Sequence, residues 1–197
     1  MIKIPKNEIS RKVIHILSSV MPLSYLWFIE DKSLMVYILV GMSLLALVIE
    51  YLRNSWTLFS RLFNALFYYM LREQELKGKL TGATWLLIGW SITVILFNMP
   101  IAVAALLFLS IGDSFAALGG KLFPKVIIGN KTLSGTLCGL LISFTFVLMI
   151  NQSLLPIVIL IGAIAAMGVE LIPLRINDNL TIPIFSGSVM MVADRLL

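Results

Sequence analysis

The segment Gly112-Asp113-Ser114-Phe115-Ala116-Ala117-Leu118-Gly119-Gly120-Lys121 is followed by Gly129-Asn130-Lys131-Thr132-Leu133-Ser134-Gly135-Thr136. Together they set one carboxylate, two lysines, several hydroxyls and many glycines close to one another in an otherwise apolar chain. A metal-bound polyphosphate needs that set. Magnesium takes one or two carboxylates plus phosphate oxygens, and lysines neutralise the remaining charge. Thr132 sits where the next helix begins, and a helix N-terminus favours anions. On a helix, Asp113, Ala117 and Gly120 share one face, so the carboxylate lies beside small residues. Two plainer readings stand beside this one: Gly119-Gly120 as a helix-packing surface, and the lysines as anchors to lipid head groups. Gly129-Asn130-Lys131-Thr132 is not a P-loop, because the glycine spacing that motif requires is missing.

Other charged groups stand at comparable places: Arg11, Lys12 and His15; Glu50 and Arg53; Glu170; and Asp178-Asn179. Ionisable side chains at the edge of hydrocarbon are costly, which makes each a functional candidate. Asp178 also suits the cap of the last helix, and Glu50 and Arg53 have the spacing to pair. Glu170 has no such plain explanation.

These side chains are carried by a chain with few other polar features. Its 197 residues are 59% hydrophobic and 13% charged, with a mean hydropathy of +1.00. Soluble domains carry about 25% charged residues, so most of this surface must face lipid. The long uncharged stretches from Leu80 to Gly112 and from Thr132 to Val169 each accommodate two helices. Asn98-Met99-Pro100 breaks the first, and Asn151-Gln152-Ser153 with Pro156 breaks the second, because proline suits a first helical turn. The expected fold is all-α and polytopic. Seven transmembrane helices are placed at 9–28, 34–52, 82–97, 100–118, 133–150, 154–174 and 180–196. No repeat or low-complexity linker divides residues 1–197, so a single membrane-embedded domain is expected.

Residues 55–76 differ. Leu58, Leu62, Leu66 and Met70 form one row, Phe59, Phe63, Phe67 and Leu71 the adjacent one, and Arg61, Asn64, Arg72 and Glu73 lie off that stripe. Such a helix lies in the membrane interface or packs against the bundle, and either way walls an entrance from the lipid. With the N-terminus in the cytoplasm, only Lys32 and Arg195 of the 15 lysines and arginines fall outside, in accord with the positive-inside rule. The pI of about 9.5 is then explained by basic loops facing anionic lipids, and no nucleic-acid partner is needed. The first apolar segment follows Arg11-Lys12 but lacks a small-residue cleavage site, so a retained helix is expected. Cys138, the only cysteine, excludes an intramolecular disulfide.

Four separated pieces carry a resemblance: Arg11-Lys12-x-x-His15; Gly112-Asp113-Ser114-Phe115-Ala116 with Gly119; Lys131-Thr132-x-x-Gly135; and Glu170 with Asp178-Asn179-Leu180-Thr181-Ile182-Pro183. In this order the chain resembles the polyprenol kinase family, which includes dolichol kinase, phytol kinase and a CTP-dependent diacylglycerol kinase. The resemblance implies transfer of the γ-phosphate of CTP, with Mg2+, to a polyprenol or dolichol-type alcohol or to diacylglycerol. It implies a catalytic set of Asp113, Glu170 and Asp178, with Asp113 and Asp178 as metal ligands and Glu170 or Asp178 as base. Arg11, Lys12, His15, Gly112, Ser114, Lys121, Lys131, Thr132 and Asn179 would hold the nucleotide and its phosphates. The active site would face the cytoplasm, at the plasma membrane of a bacterium or archaeon or at the endoplasmic reticulum of a eukaryote. Phosphatidate cytidylyltransferase is similar around Gly112-Asp113, Lys131-Thr132 and the late Asp194-Arg195, which keeps CDP-lipid synthesis as an alternative. A small transporter is a third reading, disfavoured because the charges cluster on one side.

Overall fold

A computed structural model describes residues 6–129, 131–174 and 176–197. Asn130 and Arg175, both expected in basic loops, and Lys3 lie outside the described residues. The described chain is helical almost throughout. α1 (Lys6–Leu17) leads into α2 (Val20–Ser24) and a π-helical turn, Tyr25–Ile29, which stops where Glu30 takes a left-handed φ of 48°. Asp31 then caps α3 (Lys32–Ser55), accepting from the Ser33 amide at 2.8 Å. α4 (Thr57–Phe67) and the single turn α5 (Glu73–Leu76) precede α6 (Gly82–Leu96). α7 (Met99–Leu107), a second π-helical stretch (Phe108–Asp113) and α8 (Ser114–Leu122) run on as one span. α9 (Leu133–Ile150), α10 (Pro156–Leu171) and α11 (Asp178–Leu196) complete the fold. One small departure from an all-α chain lies between α8 and α9. There β1 (Ile127–Ile128) and β2 (Lys131–Thr132) pair antiparallel, Ile127 opposite Thr132.

The breaks read from sequence have the expected chemistry. Asn98 caps α7, accepting from the Ile101 amide at 3.2 Å, and Pro100 occupies the first turn. Pro156 likewise opens α10. Among the described residues four helical stretches are long and apolar enough to cross a membrane: Ser10–Ile29, Lys32–Ser55, Met99–Leu122 and Leu133–Ile150. α6 and α10 are apolar but shorter, so four of the seven expected spans meet that test of length and composition among the described residues. α4 has no buried residue. Its Leu58, Leu62 and Leu66 point outward, while Phe63 and Phe67 turn the other way, 4.8 Å apart.

The Met99–Leu122 span is the centre of the molecule. Of its apolar window 78% is buried, against 17%, 22% and 28% for the other three, so those three hold their outer faces toward lipid. Against this axis α9 packs closely, because Gly112, Ala116 and Gly120 on one side meet Gly135 and Gly139 on the other. A Cβ at Gly139 would come within 2.6 Å of the Gly112 carbonyl, and one at Gly135 within 2.9 Å of the Gly120 amide. Small residues four apart let backbones touch where no hydrophobic force drives helices together. Polar groups tie the far end: Lys32 Nζ donates to the Phe97 carbonyl at 2.9 Å, and Asn151 Nδ2 to that of Pro100 at 2.7 Å.

Backbone atoms crowd the Gly135 position and cannot swing aside. Gly135→Ala should therefore destabilise the protein by about 1–3 kcal/mol, read as a lowered unfolding temperature in detergent. The same change at Gly41, inside α3 with nothing within 4 Å, should not lower that temperature and should raise it slightly, since alanine is better than glycine in a helix interior by up to about 1 kcal/mol.

Candidate active site

Asp113 ends the π-helical stretch well inside a 24-residue span, not near a helix end as the expected boundary at residue 118 implied. A carboxylate placed there needs a counter-charge, and Lys12 supplies it from α1. Lys12 Nζ lies 2.7 Å from Asp113 Oδ2 and also donates to the Asp113 carbonyl at 3.2 Å, with both side chains 14% exposed. π-helical turns inside longer helices frequently occur at functional positions. Here the turn brings the carboxylate to the N-terminal helix.

A second charge cluster lies across the hairpin. Lys131 Nζ bridges Glu170 Oε1 at 3.0 Å and Asp178 Oδ2 at 2.9 Å, and also donates to the Glu170 carbonyl. Burial pulls the Lys131 ammonium down, but the Glu170 and Asp178 carboxylates outweigh it and raise its pKa above the ordinary lysine value. Glu170 is buried, and its Oε2 has no partner among the described residues.

A chain of hydrogen bonds links the remaining pieces. Asn177, not Asp178, caps α11, accepting from the Asn179 amide at 3.0 Å. Asn179 Nδ2 donates to the Gly82 carbonyl at 2.8 Å, and its Oδ1 meets His15 Nε2 at 3.1 Å. Gly82 in turn donates its amide to Glu75 Oε1 at 2.9 Å, while Glu75 Oε2 accepts from the Arg72 amide at 2.8 Å. Beside this chain Glu50 and Arg53 pair at 2.7 Å, as their spacing allowed. Glu50 Oε1 also accepts from the Thr81 amide and the Thr84 hydroxyl. Glu75, Thr81, Thr84 and Asn177 escaped the sequence reading. The first three stand in or beside a lysine-rich stretch that looks solvated, and only the capping-type Thr81 before an apolar run signalled a structured role.

These elements surround a cavity of about 840 Å³. One part of its lining, from α1, the Met99–Leu122 span and the start of α11, holds Arg11, Lys12, His15, Asp113, Asp178 and Asn179. The part from α3 to α6 holds Phe63, Phe67, Met70, Leu71 and Trp85, with Glu50, Arg72, Glu75 and Lys79 beside them. Not every expected site residue is there. Gly112 and Ser114 are buried in helix packing, Ser114 donating to the Ser110 carbonyl at 2.7 Å. Thr132 caps α9 through the Gly135 amide at 3.2 Å, and Lys121 lies in the last turn of α8. Lys121, Lys131, Thr132 and Glu170 do not line the cavity. Asp194 and Arg195 are ~24 Å along α11 from Asp178, at 1.5 Å per residue, which separates them from the site.

No family model matches the chain, and no solved structure matches it. An uncharacterised protein of Rickettsia prowazekii is 27% identical over 186 residues, covering 90% of each chain. A protein of Schizosaccharomyces pombe named CTP-dependent diacylglycerol kinase 1 is 29% identical over 159 residues, 72% of each chain. A protein of the same name from Eremothecium gossypii is 26% identical over 143 residues, 71% of this chain and 44% of its own. The chain is thus an α-helical protein with four helical stretches among its described residues apolar and long enough for a bilayer, and is distantly similar to two proteins named CTP-dependent diacylglycerol kinase.

Two consequences are measurable. Lys12→Ala leaves a largely buried carboxylate uncompensated and should cost about 3 kcal/mol of stability, with Lys12→Ala/Asp113→Asn recovering most of it in thermal unfolding. For Lys131 the folded pKa is raised, so its contribution is complete below ~pH 10.4 and lost as pH rises through the higher folded value. Lys131→Met should therefore flatten the fall of unfolding temperature above about pH 10.4 relative to wild type, and leave the slope below it unchanged.

Proposed function

We propose that this protein is a membrane-embedded lipid kinase, transferring the γ-phosphate of CTP to the hydroxyl of diacylglycerol or of a polyprenol-type alcohol. The observation that carries this reading is the two-sided cavity. One wall offers cations and carboxylates suited to a nucleotide triphosphate, the other aromatic and aliphatic side chains suited to a lipid tail. A volume of about 840 Å³ falls within the usual range for ligand sites. The relatives from S. pombe and E. gossypii support CTP as donor and a lipid as acceptor.

In this reading Lys12 and Arg11 bind the polyphosphate, and Asp113 and Asp178 hold Mg2+. Among the described residues no three His, Cys, Asp or Glu side chains gather as a metal cage. Magnesium fits that arrangement, because it keeps water and phosphate oxygens beside one or two carboxylates. Glu170 Oε2, buried without a partner, adds negative potential that favours a cation nearby. Bound magnesium would neutralise the charge that develops as the phosphoryl group moves, while the protein's own groups position donor and acceptor. Lys131 would organise Glu170 and Asp178 and reach phosphate only by leaving one of them. Lys121 and Thr132 would assist from the hairpin, and Gly112 and Ser114 through the packing that sets Asp113. The topology that suits this reading has seven crossings with the cavity at the cytoplasmic face, supported by the concentration of lysine and arginine in the loops that share it.

Purified protein in detergent with Mg2+ and γ-labelled CTP should transfer label to diacylglycerol or to one of undecaprenol, dolichol and phytol. Asp113→Asn should reduce transfer by about 10³-fold without loss of membrane-inserted yield. Absence of label in every lipid, with CDP-lipid formed from phosphatidate and base-labelled CTP, would replace the kinase with a cytidylyltransferase.

A further inference from the structure

The cavity contains a ring whose proton is placed by its surroundings. Asn179 stands between the Gly82 carbonyl, 2.8 Å from its Nδ2, and His15 Nε2, 3.1 Å from its Oδ1. A carbonyl only accepts, so the Gly82 carbonyl requires the Asn179 amide to face it with its NH2. The Asn179 oxygen must then face His15, and an oxygen acceptor demands that Nε2 carry the hydrogen. In the neutral ring this leaves Nδ1 with its lone pair. Nδ1 is buried and has no partner among the described residues, and His15 is one of the residues lining the cavity. Glu75 secures the arrangement from behind by accepting the Gly82 amide at 2.9 Å.

We propose that His15 Nδ1 accepts the hydrogen of the lipid hydroxyl and takes its proton during transfer, with Asn179, Gly82 and Glu75 holding the ring in the required tautomer. The proposal rests on the kinase reading and replaces the phosphate-binding role that the sequence resemblance implied for His15. In the step, the lipid oxygen forms its bond to the γ-phosphorus while the bond from that phosphorus to the bridging oxygen breaks. The bonding pair leaves with CDP, and the hydroxyl proton passes to Nδ1 and later to water. The two carboxylates expected as the base are less suitably placed. Glu170 does not line the cavity, and Asp178 pairs with Lys131 at 2.9 Å and is the carboxylate assigned to Mg2+ in the kinase reading. His15 lies on the same helix as Lys12, one turn on, so the ion pair that seats α1 on Asp113 also sets the distance from base to phosphate site. Asn179 and Glu75 are positioning residues in this scheme, since neither is asked to touch the reacting atoms.

The test measures transfer from γ-labelled CTP to whichever of diacylglycerol and undecaprenol accepts label with wild type, together with CTP affinity. His15→Gln keeps hydrogen bonding but cannot take a proton. It should lose about 10²- to 10⁴-fold in kcat with CTP affinity within threefold of wild type. His15→Ala should behave likewise and regain activity when imidazole is added. Wild-type turnover in His15→Gln would overturn the proposal and leave the kinase reading intact. So would a parallel loss of CTP affinity and turnover without imidazole rescue, which would return His15 to phosphate binding. If wild type labels no lipid, both readings fall together.

Discussion

A carboxylate carried inside the most buried helix of a lipid-facing bundle has to be compensated, and the rest of the structure is arranged around that requirement. Stripping water from Asp113 costs several kcal/mol, which attraction recovers only at close range and with good geometry. Lys12 meets it at 2.7 Å with a further bond to the backbone carbonyl. To do so α1 must lie across the point where α7 gives way to α8, and Arg11 and His15 come with it. The same constraint operates at Lys131, which holds Glu170 and Asp178 together and thereby brings the ends of α10 and α11 to the hairpin. Charges that would be liabilities singly thus decide which helix ends converge.

The apolar side of the cavity follows from a different economy. α4 has no core to enter, yet it is apolar on two faces. Leucines at 58, 62 and 66 look outward, and phenylalanines at 63 and 67 look toward the cavity. A helix of this kind belongs where protein, lipid and water meet. Arg53, buried with Glu50, places its guanidinium 5.4 Å from the centre of the Phe63 ring and so joins the aromatic wall to the polar network. Glu75 continues that network to Gly82 and Asn179. The result is a continuous path of packed and hydrogen-bonded groups from the amphipathic helix to the charged wall.

Much of this was legible in the sequence because an apolar chain makes exceptions conspicuous. Asn98-Met99-Pro100 and Pro156 marked helix starts that the structure keeps, and Arg11, Lys12, His15, Asp113, Asp178 and Asn179 stood out as charges and amides where lipid should be. What sequence could not show was who partners whom. Lys131 looks like an open phosphate ligand until α10 and α11 bring two carboxylates to it. Asp178 and Thr132 have equal capping chemistry, but Asn177 takes the cap of α11 and frees Asp178, whereas Thr132 is consumed by α9. Uncharged runs alone also leave the number of crossings open. α6 has 15 residues, ~22 Å at 1.5 Å each, against a hydrocarbon core of about 30 Å.

The central claim is that one cavity takes a lipid against its aromatic wall and a nucleotide against its charged wall. Photo-crosslinking with a diacylglycerol bearing a diazirine on its acyl chain, followed by peptide mapping with and without CTP, tests it most directly. The account predicts label on Phe63, Phe67, Met70 or Trp85, competed by unlabelled diacylglycerol and persisting when CTP is bound. Label confined to outward-facing positions such as Leu44 and Leu141, without competition and with the cavity residues unmarked, would contradict it.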